Sequence, residues 1–371
     1  MKTKTITYHA SLNNGSFFQA YALQKTIKSL GHDNEILDIQ TPELKSDYAL
    51  FRNIRSLSDL LKNIISLLHF VKLKKRKRKF EEARKCYLSL TSEYSSLNDY
   101  IADNQDEVRD SLFIAGSDQI WNTTTSDFTE GYFLPGIDNK IAYSASGGSS
   151  ITSKDLQKYI QYIKEFKNIS VREPKLKNIL NNLNISRITV TLEPTLLLDK
   201  DDYKTFISNE RYLKDRYIFC YSAKCNRDVM KKANEIGKHF GLPVYAIFNT
   251  YRSEKNWMYG LKNIYDAGPE DFLNILQNAE LVLTDSFHGN VFSIIMEKPF
   301  YYLAPESSSK EIEIDDRIDG LFEQIGLAGR KITVNTPVEE IFNTEIEYCH
   351  VRDELINLRQ ESIEYLRNAI C

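Results

Sequence analysis

Residues 281–300, LVLTDSFHGNVFSIIMEKPF, hold two apolar runs parted by a short polar hinge. The first run, LVLTD, has the length and β-branched content of a buried strand. GNVFSIIME reads as a helix, and PFYYLAP, residues 299–305, as the next strand. Strand, helix and strand in that order imply a right-handed parallel crossover, so the stretch specifies an α/β fold. His288 stands where the strand hands over to the helix. In open α/β sheets, ligands bind beyond the carboxyl ends of the strands. An imidazole there can exchange protons near neutral pH. The residues alone leave two readings open, a catalytic histidine and a structural one at the helix cap. Asp285, three residues earlier, is placed to orient the imidazole or to cap the helix.

The same alternation extends through most of the 371 residues. TKTITYH is a strand, SLNNGS a turn, FFQAYALQKTIKSLG a helix stopping at Gly31, and NEILDIQ a strand. After residue 110 come SLFIAG, KIAYSASGG and NISVRE as strands, with SKDLQKYIQYIKEF and PKLKNILNNL as helices. A second block starts near residue 214. There DRYIFCYSA, LPVYAIFN and LVLTD alternate with NRDVMKKANEIGKHFG and GPEDFLNILQNAE, and DDRIDGLFEQIG is a helix. The expectation is two Rossmann-like domains facing a cleft, residues 1–200 and 214–340. A final helix within 341–371, with Val351, Leu355, Leu358 and Leu366 on one side, is expected to pack back on the first domain. Residues 45–95 break the rhythm and read as a helical, basic insertion in the first domain.

Composition narrows the class. The chain is 42% hydrophobic and 27% charged, with a net charge of −3, which gives no general attraction to nucleic acid. The N-terminus lacks a signal-peptide pattern, and no apolar run reaches membrane-spanning length. Five scattered cysteines without a Cys-x-x-Cys pair indicate neither a disulfide framework nor a zinc site. These features predict a cytoplasmic protein without a bound metal.

Polar clusters recur where strands should end. Asn14, Gly15 and Ser16 open a helix, whose free N–H groups attract anions. Gly116–Asn122, GSDQIWN, supplies Ser117, Asp118, Gln119 and Trp121. YSASGG supplies Ser146 and the amides of Gly147 and Gly148. Arg172, in SVRE, is placed to grip a carboxylate or phosphate, or to pair with Glu173 or Glu193. Separately, Leu57, Leu60, Leu61, Ile64, Ile65 and Leu68 form an apolar helical stripe. It runs into seven Lys or Arg among residues 72–79. Two readings of this basic helix, 57–79, stay open: peripheral contact with a membrane, or packing on its own domain with a solvated end.

Taken together, NNGSFFQAYALQ, IAGSDQIWN, AYSASGG, ISVREP, LEPTLLLD, the block Gly268–Phe300 and DRIDGLFEQIGL make the chain resemble the polysaccharide pyruvyl transferase family over nearly its full length. The resemblance implies a GT-B-like fold. It also implies transfer of a pyruvyl group from phosphoenolpyruvate, a co-substrate rather than a cofactor, onto a lipid-linked or nucleotide-linked sugar, closing a pyruvate ketal. His288 matches the family's R-x-H-G histidine, the candidate acid/base. Arg172 matches an arginine that holds the anionic donor, with Gly15, Ser16, Ser286, Gly289 and Arg317 as further donor contacts. Asn14, Ser117, Asp118, Gln119, Trp121 and Ser146 are the expected acceptor contacts. The family's first motif arginine is replaced here by Ser286. That departure, with the GT-B-like architecture, keeps a nucleotide-sugar glycosyltransferase as an alternative; a non-catalytic glycan-binding protein that kept the fold is another.

Overall fold

The computed structural model describes residues 1–222, 225–249, 251–304, 316–342 and 345–371. The expected strand and helix ends at Ala223, Pro305 and Asp315 lie outside the described residues. The chain divides into two units. One comprises Met1–Ala49, Glu82–Leu198 and Leu355–Cys371; the other comprises Leu50–Glu81 and Asp199–Glu354.

The first unit holds a parallel sheet of β1 (Lys2–Ile6), β2 (Asp33–Ile39), β3 (Leu90–Tyr94), β4 (Leu112–Ala115), β5 (Lys140–Ala145), β6 (Ile169–Val171) and β7 (Ile188–Val190). Their order is β3-β2-β1-β4-β5-β6-β7. The central strands β4 and β5 are buried along their whole length, as the uninterrupted apolar runs require of a sheet covered on both faces. Helix Asn14–Ser29 buries Phe17, Phe18, Leu23 and Ile27. The helix expected over 153–166 is divided into Ser153–Gln157 and Ile160–Lys164. β3 has mixed polarity, LTSEY, and went unread inside the expected helical insertion.

The second unit repeats the plan with β8 (Ile218–Tyr221), β9 (Val244–Ile247), β10 (Lys262–Ile264), β11 (Leu281–Thr284), β12 (Phe300–Ala304) and β13 (Lys331–Thr333). Their order is β10-β9-β8-β11-β12-β13, and all pairings are parallel. β10 and β13 are three-residue strands at the two edges of this sheet, and neither stands out as an apolar run in the sequence.

Two segments cross the sequence order. Leu50–Glu81, expected within the first domain, belongs to the second unit. Part of its basic run is matched there by acids: Lys75 lies 2.8 Å from Asp266 and Lys79 2.6 Å from Asp271. Arg76, itself buried, donates to the Phe248 carbonyl. The final helix, Tyr348–Ile370, supplies residues from Leu355 onward to the first unit. There Ser362 Oγ accepts from Leu192 N at 3.0 Å, and Arg359 donates to the carbonyls of Leu196 and Leu198.

Trp121 sits in the first unit's core, fully buried, stacked on Phe133 at 5.7 Å and edge-on to Phe166. Trp121→Ala is expected to destabilise this unit by about 3–5 kcal/mol through the cavity it leaves. Calorimetry should show an unfolding transition moved to lower temperature.

Candidate functional site

In the first sheet, the connection from β1 runs to β2 and that from β4 runs to β5, on opposite sides. Such a reversal leaves a crevice at the carboxyl ends of the two strands. The residues that follow β1 and β4 are tied together across it. Asn13 caps helix Asn14–Ser29 by accepting from Gly15 N at 2.9 Å. Ser16 Oγ donates to Asp118 Oδ2 at 2.7 Å. Gln19, buried one turn further along, donates to Thr7 Oγ1 and to the carbonyls of Tyr8 and Ser16. Its own amide oxygen accepts from Ser117 N at 3.2 Å. Gly116 has φ +143°, and a Cβ there would lie 2.0 Å from the Tyr143 carbonyl oxygen, so only glycine fits.

Ser117 Oγ donates to the Ser144 carbonyl at 2.7 Å and accepts from Arg172 Nη2 at 2.8 Å. Arg172 lies 3.9 Å from Glu193, both deeply buried. Asn14 is fully buried, and neither its amide nitrogen nor its amide oxygen has a hydrogen-bond partner among the described residues. Unsatisfied burial of an amide costs about 1–3 kcal/mol, which marks a position a polar ligand would satisfy.

Two sequence expectations change here. The amides of YSASGG do attract an anion, but the chain supplies it. Glu173 Oε1 accepts from Gly147 N at 2.7 Å, Gly148 N at 3.2 Å and Ser146 Oγ at 3.0 Å. Ser146, expected as an acceptor contact, is thus a buried donor to Glu173. Trp121, expected to stack on a sugar, is a core residue with its Nε1 turned to the Tyr132 carbonyl at 3.4 Å. Gln119 accepts from Asn122 Nδ2 at 2.8 Å.

The same edge carries groups that sequence reasoning passed over. Tyr8 OH donates to Asp127 Oδ1 at 3.3 Å. Burial raises the Tyr8 hydroxyl above its usual range, and the Asp127 charge adds to the effect. Burial likewise lifts the Asp127 carboxyl, helped by the Asp118 charge. His9 Nε2 lies 2.9 Å from Asp38 Oδ1. Burial opposes ionisation of Asp38, yet the His9 contact holds the carboxyl below its usual range. The available signal was the pair Tyr8-His9 just beyond β1, the same strand-end position that singled out His288.

In the second sheet the reversal falls between β8 and β11. Ser222, beyond β8, donates its hydroxyl to Asp285 Oδ2 at 2.7 Å, beyond β11. Helix Phe287–Ile295 begins two residues later. Thr284, the last residue of β11, donates to the Tyr221 carbonyl at 2.6 Å and accepts from Ser286 N at 3.0 Å. Ser286 is the helix N-cap, but its side chain makes no capping bond. His288 and Ser286 are each 8% exposed, so both reach the edge of the fold without being surface groups. Asn290 is buried; its Nδ2 donates to the Ser286 carbonyl at 2.8 Å, while its Oδ1 has no hydrogen-bond partner among the described residues. The Arg317 guanidinium lies 5.3 Å from the centre of the Phe287 ring.

Gly289 answers a packing need. A Cβ at this position would lie 2.1 Å from Thr284 Oγ1 and 3.1 Å from the Tyr221 ring. The glycine lets the helix close onto the strand end, which fixes where His288 emerges.

A model of the polysaccharide pyruvyl transferase family matches residues 13–307, and the chain belongs to that family. A search of the curated proteins finds no match. Among solved structures, the chain is similar to a Listeria monocytogenes protein assigned as a UDP-N-acetylglucosamine 2-epimerase. The TM-score is 0.51 at 12% identity, covering 99% of this chain and 90% of that one. It is also similar to the Neisseria meningitidis UDP-GlcNAc 2-epimerase bound to UDP-GlcNAc (TM-score 0.46, 12% identity, 99% of each chain). A third is the E. coli ADP-heptose heptosyltransferase II (TM-score 0.41, 9% identity, 97% and 99%). At such identities the likeness concerns the fold alone: an α/β architecture with two parallel sheets, of the GT-B type.

Gly289→Ala should destabilise the second unit by about 1–3 kcal/mol, because Thr284 is held by two hydrogen bonds and cannot withdraw. Thr284→Ala removes the obstructing oxygen. The double variant should therefore lose less stability than the two single losses added, a coupling that thermal or denaturant unfolding of the four proteins measures directly.

Proposed function

We propose that this enzyme moves the pyruvyl group of phosphoenolpyruvate onto two hydroxyls of a sugar in a surface-polysaccharide precursor, closing a cyclic ketal. The observation that carries the proposal is the family match over residues 13–307. The positions of Arg172 and His288, just beyond β6 and β11, support it, because these are the two residues that the family resemblance marks for donor binding and proton transfer.

The methylene carbon of the donor takes a proton, leaving an oxocarbenium-like centre at the carbon bearing carboxylate and phosphate. One sugar hydroxyl adds there and gives up its proton. A second hydroxyl then displaces phosphate, so the products are the ketal and inorganic phosphate. His288 supplies and removes protons. Arg172 anchors the anionic donor, with Gly15 and Ser16 at a helix N-terminus, Ser286, Gly289 and Arg317 as further donor contacts. Asn14 is assigned to a sugar hydroxyl because its buried amide lacks a partner among the described residues; Asp118 and Gln119 complete the acceptor set, while Ser117, expected there too, is fully buried and spends its hydroxyl on the Ser144 carbonyl and Arg172. The proposed acceptor is a lipid-linked or nucleotide-linked sugar, and the proposed compartment the cytoplasm.

A second reading is a glycosyltransferase with a nucleotide-sugar donor. It is favoured by one observation, Ser286 in place of the motif arginine. Thermal-shift titration separates the two: phosphoenolpyruvate should raise the unfolding temperature and nucleotide sugars should not.

With phosphoenolpyruvate and a suitable glycan precursor, the full chain should release phosphate. His288→Ala should lower kcat by about 10²–10⁴-fold. Arg172→Lys, which keeps the charge but loses the fork, should act mainly on KM for phosphoenolpyruvate. Undiminished turnover by His288→Ala would remove the proton-transfer role.

A further inference from the structure

Helix Leu57–Leu68, in the second unit, is turned inside out. The residue it buries is Ser66, at 1% exposure. The apolar stripe points outward instead, with Leu57 81%, Leu61 61%, Leu67 68% and Leu68 71% exposed, and Val71, on the helix that follows, reaches 78%. Of the fifteen exposed large apolar side chains among the described residues, ten fall between Phe51 and Val71. The polar stripe faces the unit's own structure. Ser66 Oγ and Tyr251 OH are 3.1 Å apart, and the His69 ring stacks on Tyr265 at 3.9 Å. An amphipathic helix that served only its own fold would do the opposite. The 3-10 helix that begins at Tyr251, Tyr251–Tyr259, also exposes Trp257 and Met258.

The charge beside this stripe identifies the partner. Helix Phe70–Tyr87 continues the chain and carries Lys72, Lys74, Lys75 and Arg78 in exposed positions. An isologous contact with a second copy would bring two such basic stripes together. A bilayer with anionic headgroups instead meets both features, taking the apolar stripe into the headgroup boundary and the cations against its surface. Among the described residues no helix is long and apolar enough to cross a membrane, and at twelve residues the exposed helix is about 18 Å long. We propose that residues 51–78 form a peripheral membrane-binding element that lies in the plane of an anionic lipid surface. The proposal is independent of the reaction assigned above.

Flotation of the full chain with vesicles tests it. The protein should rise with vesicles of phosphatidylglycerol in phosphatidylcholine, rise much less with phosphatidylcholine alone, and be partly released by salt. Leu61→Glu/Leu68→Glu should abolish flotation without lowering the unfolding temperature, since both side chains are exposed. Each of Lys72→Glu, Lys74→Glu and Arg78→Glu should weaken partitioning at least roughly fivefold. Two results would overturn the idea. One is wild-type protein left in the soluble fraction with anionic vesicles. The other is a dimer, seen by light scattering, that Leu61→Glu/Leu68→Glu dissolves while vesicles recover no protein.

Discussion

A parallel strand cannot return to its neighbour through a tight turn, so each strand end must feed a crossover. Where the crossovers change direction, two adjacent carboxyl ends stay uncovered. Both sheets of this protein reverse at the same point in their order, between β1 and β4 and between β8 and β11. Both bridge the reversal in the same way, with a serine hydroxyl donating to an aspartate across it at 2.7 Å: Ser16 to Asp118, and Ser222 to Asp285. A hydrogen bond to an ionised acceptor is stronger than one between neutral groups. It holds two loops together at the place where the fold offers them no backbone ladder. The positions of Asn14 and His288 follow from it, since each lies within a few residues of a bridged loop.

The first unit also carries its own counter-charges. Glu173 fills the amides of Gly147 and Gly148, and Glu193 offsets the buried Arg172 from 3.9 Å, beyond hydrogen-bond distance. A buried guanidinium with no compensating charge would be costly. Because the compensation is Coulombic, Glu193 balances the charge without acting as the close, planar partner of a bidentate pair. The orientation of Arg172 comes from Ser117, whose hydroxyl accepts from Nη2 while donating to the Ser144 carbonyl. Ser117 is therefore better described as a residue that aims Arg172 than as a simple loop hydroxyl.

The fold class could be read from the sequence because parallel strands buried on both faces leave unmistakable apolar runs, as LFIA and LVLT do. Short or mixed-polarity edge strands leave no such mark, which is why β3, β10 and β13 were missed. Unit membership was illegible for a different reason. Leu50–Glu81 joins the second unit through single pairs such as Lys79 with Asp271, 192 positions apart, and no local pattern encodes such a partner. Trp121 and Ser146 show the limit at the site. A motif gives a residue's place in a loop, but not whether its side chain turns to the crevice or to the core. Gly289 was visible as a glycine, while its reason, the oxygen of Thr284, belongs to a strand end five residues back and became visible only in three dimensions.

Ser286 stands where the family resemblance implies an arginine, and its surroundings hold the turn without one. Its backbone is held at both ends, by Thr284 Oγ1 on the N–H and by Asn290 on the carbonyl, so the turn keeps its shape without any help from the side chain. A serine at an N-cap ordinarily bonds the helix's first amides, yet this one does not. Positive charge nevertheless reaches the neighbouring residue from another element. Arg317, on helix Asp316–Gln324, sits within cation–π range of the Phe287 ring. On the proposed reading, the cation that the motif normally supplies from the turn is supplied from the following helix. Ser286 then contributes a small hydroxyl where a long side chain would stand.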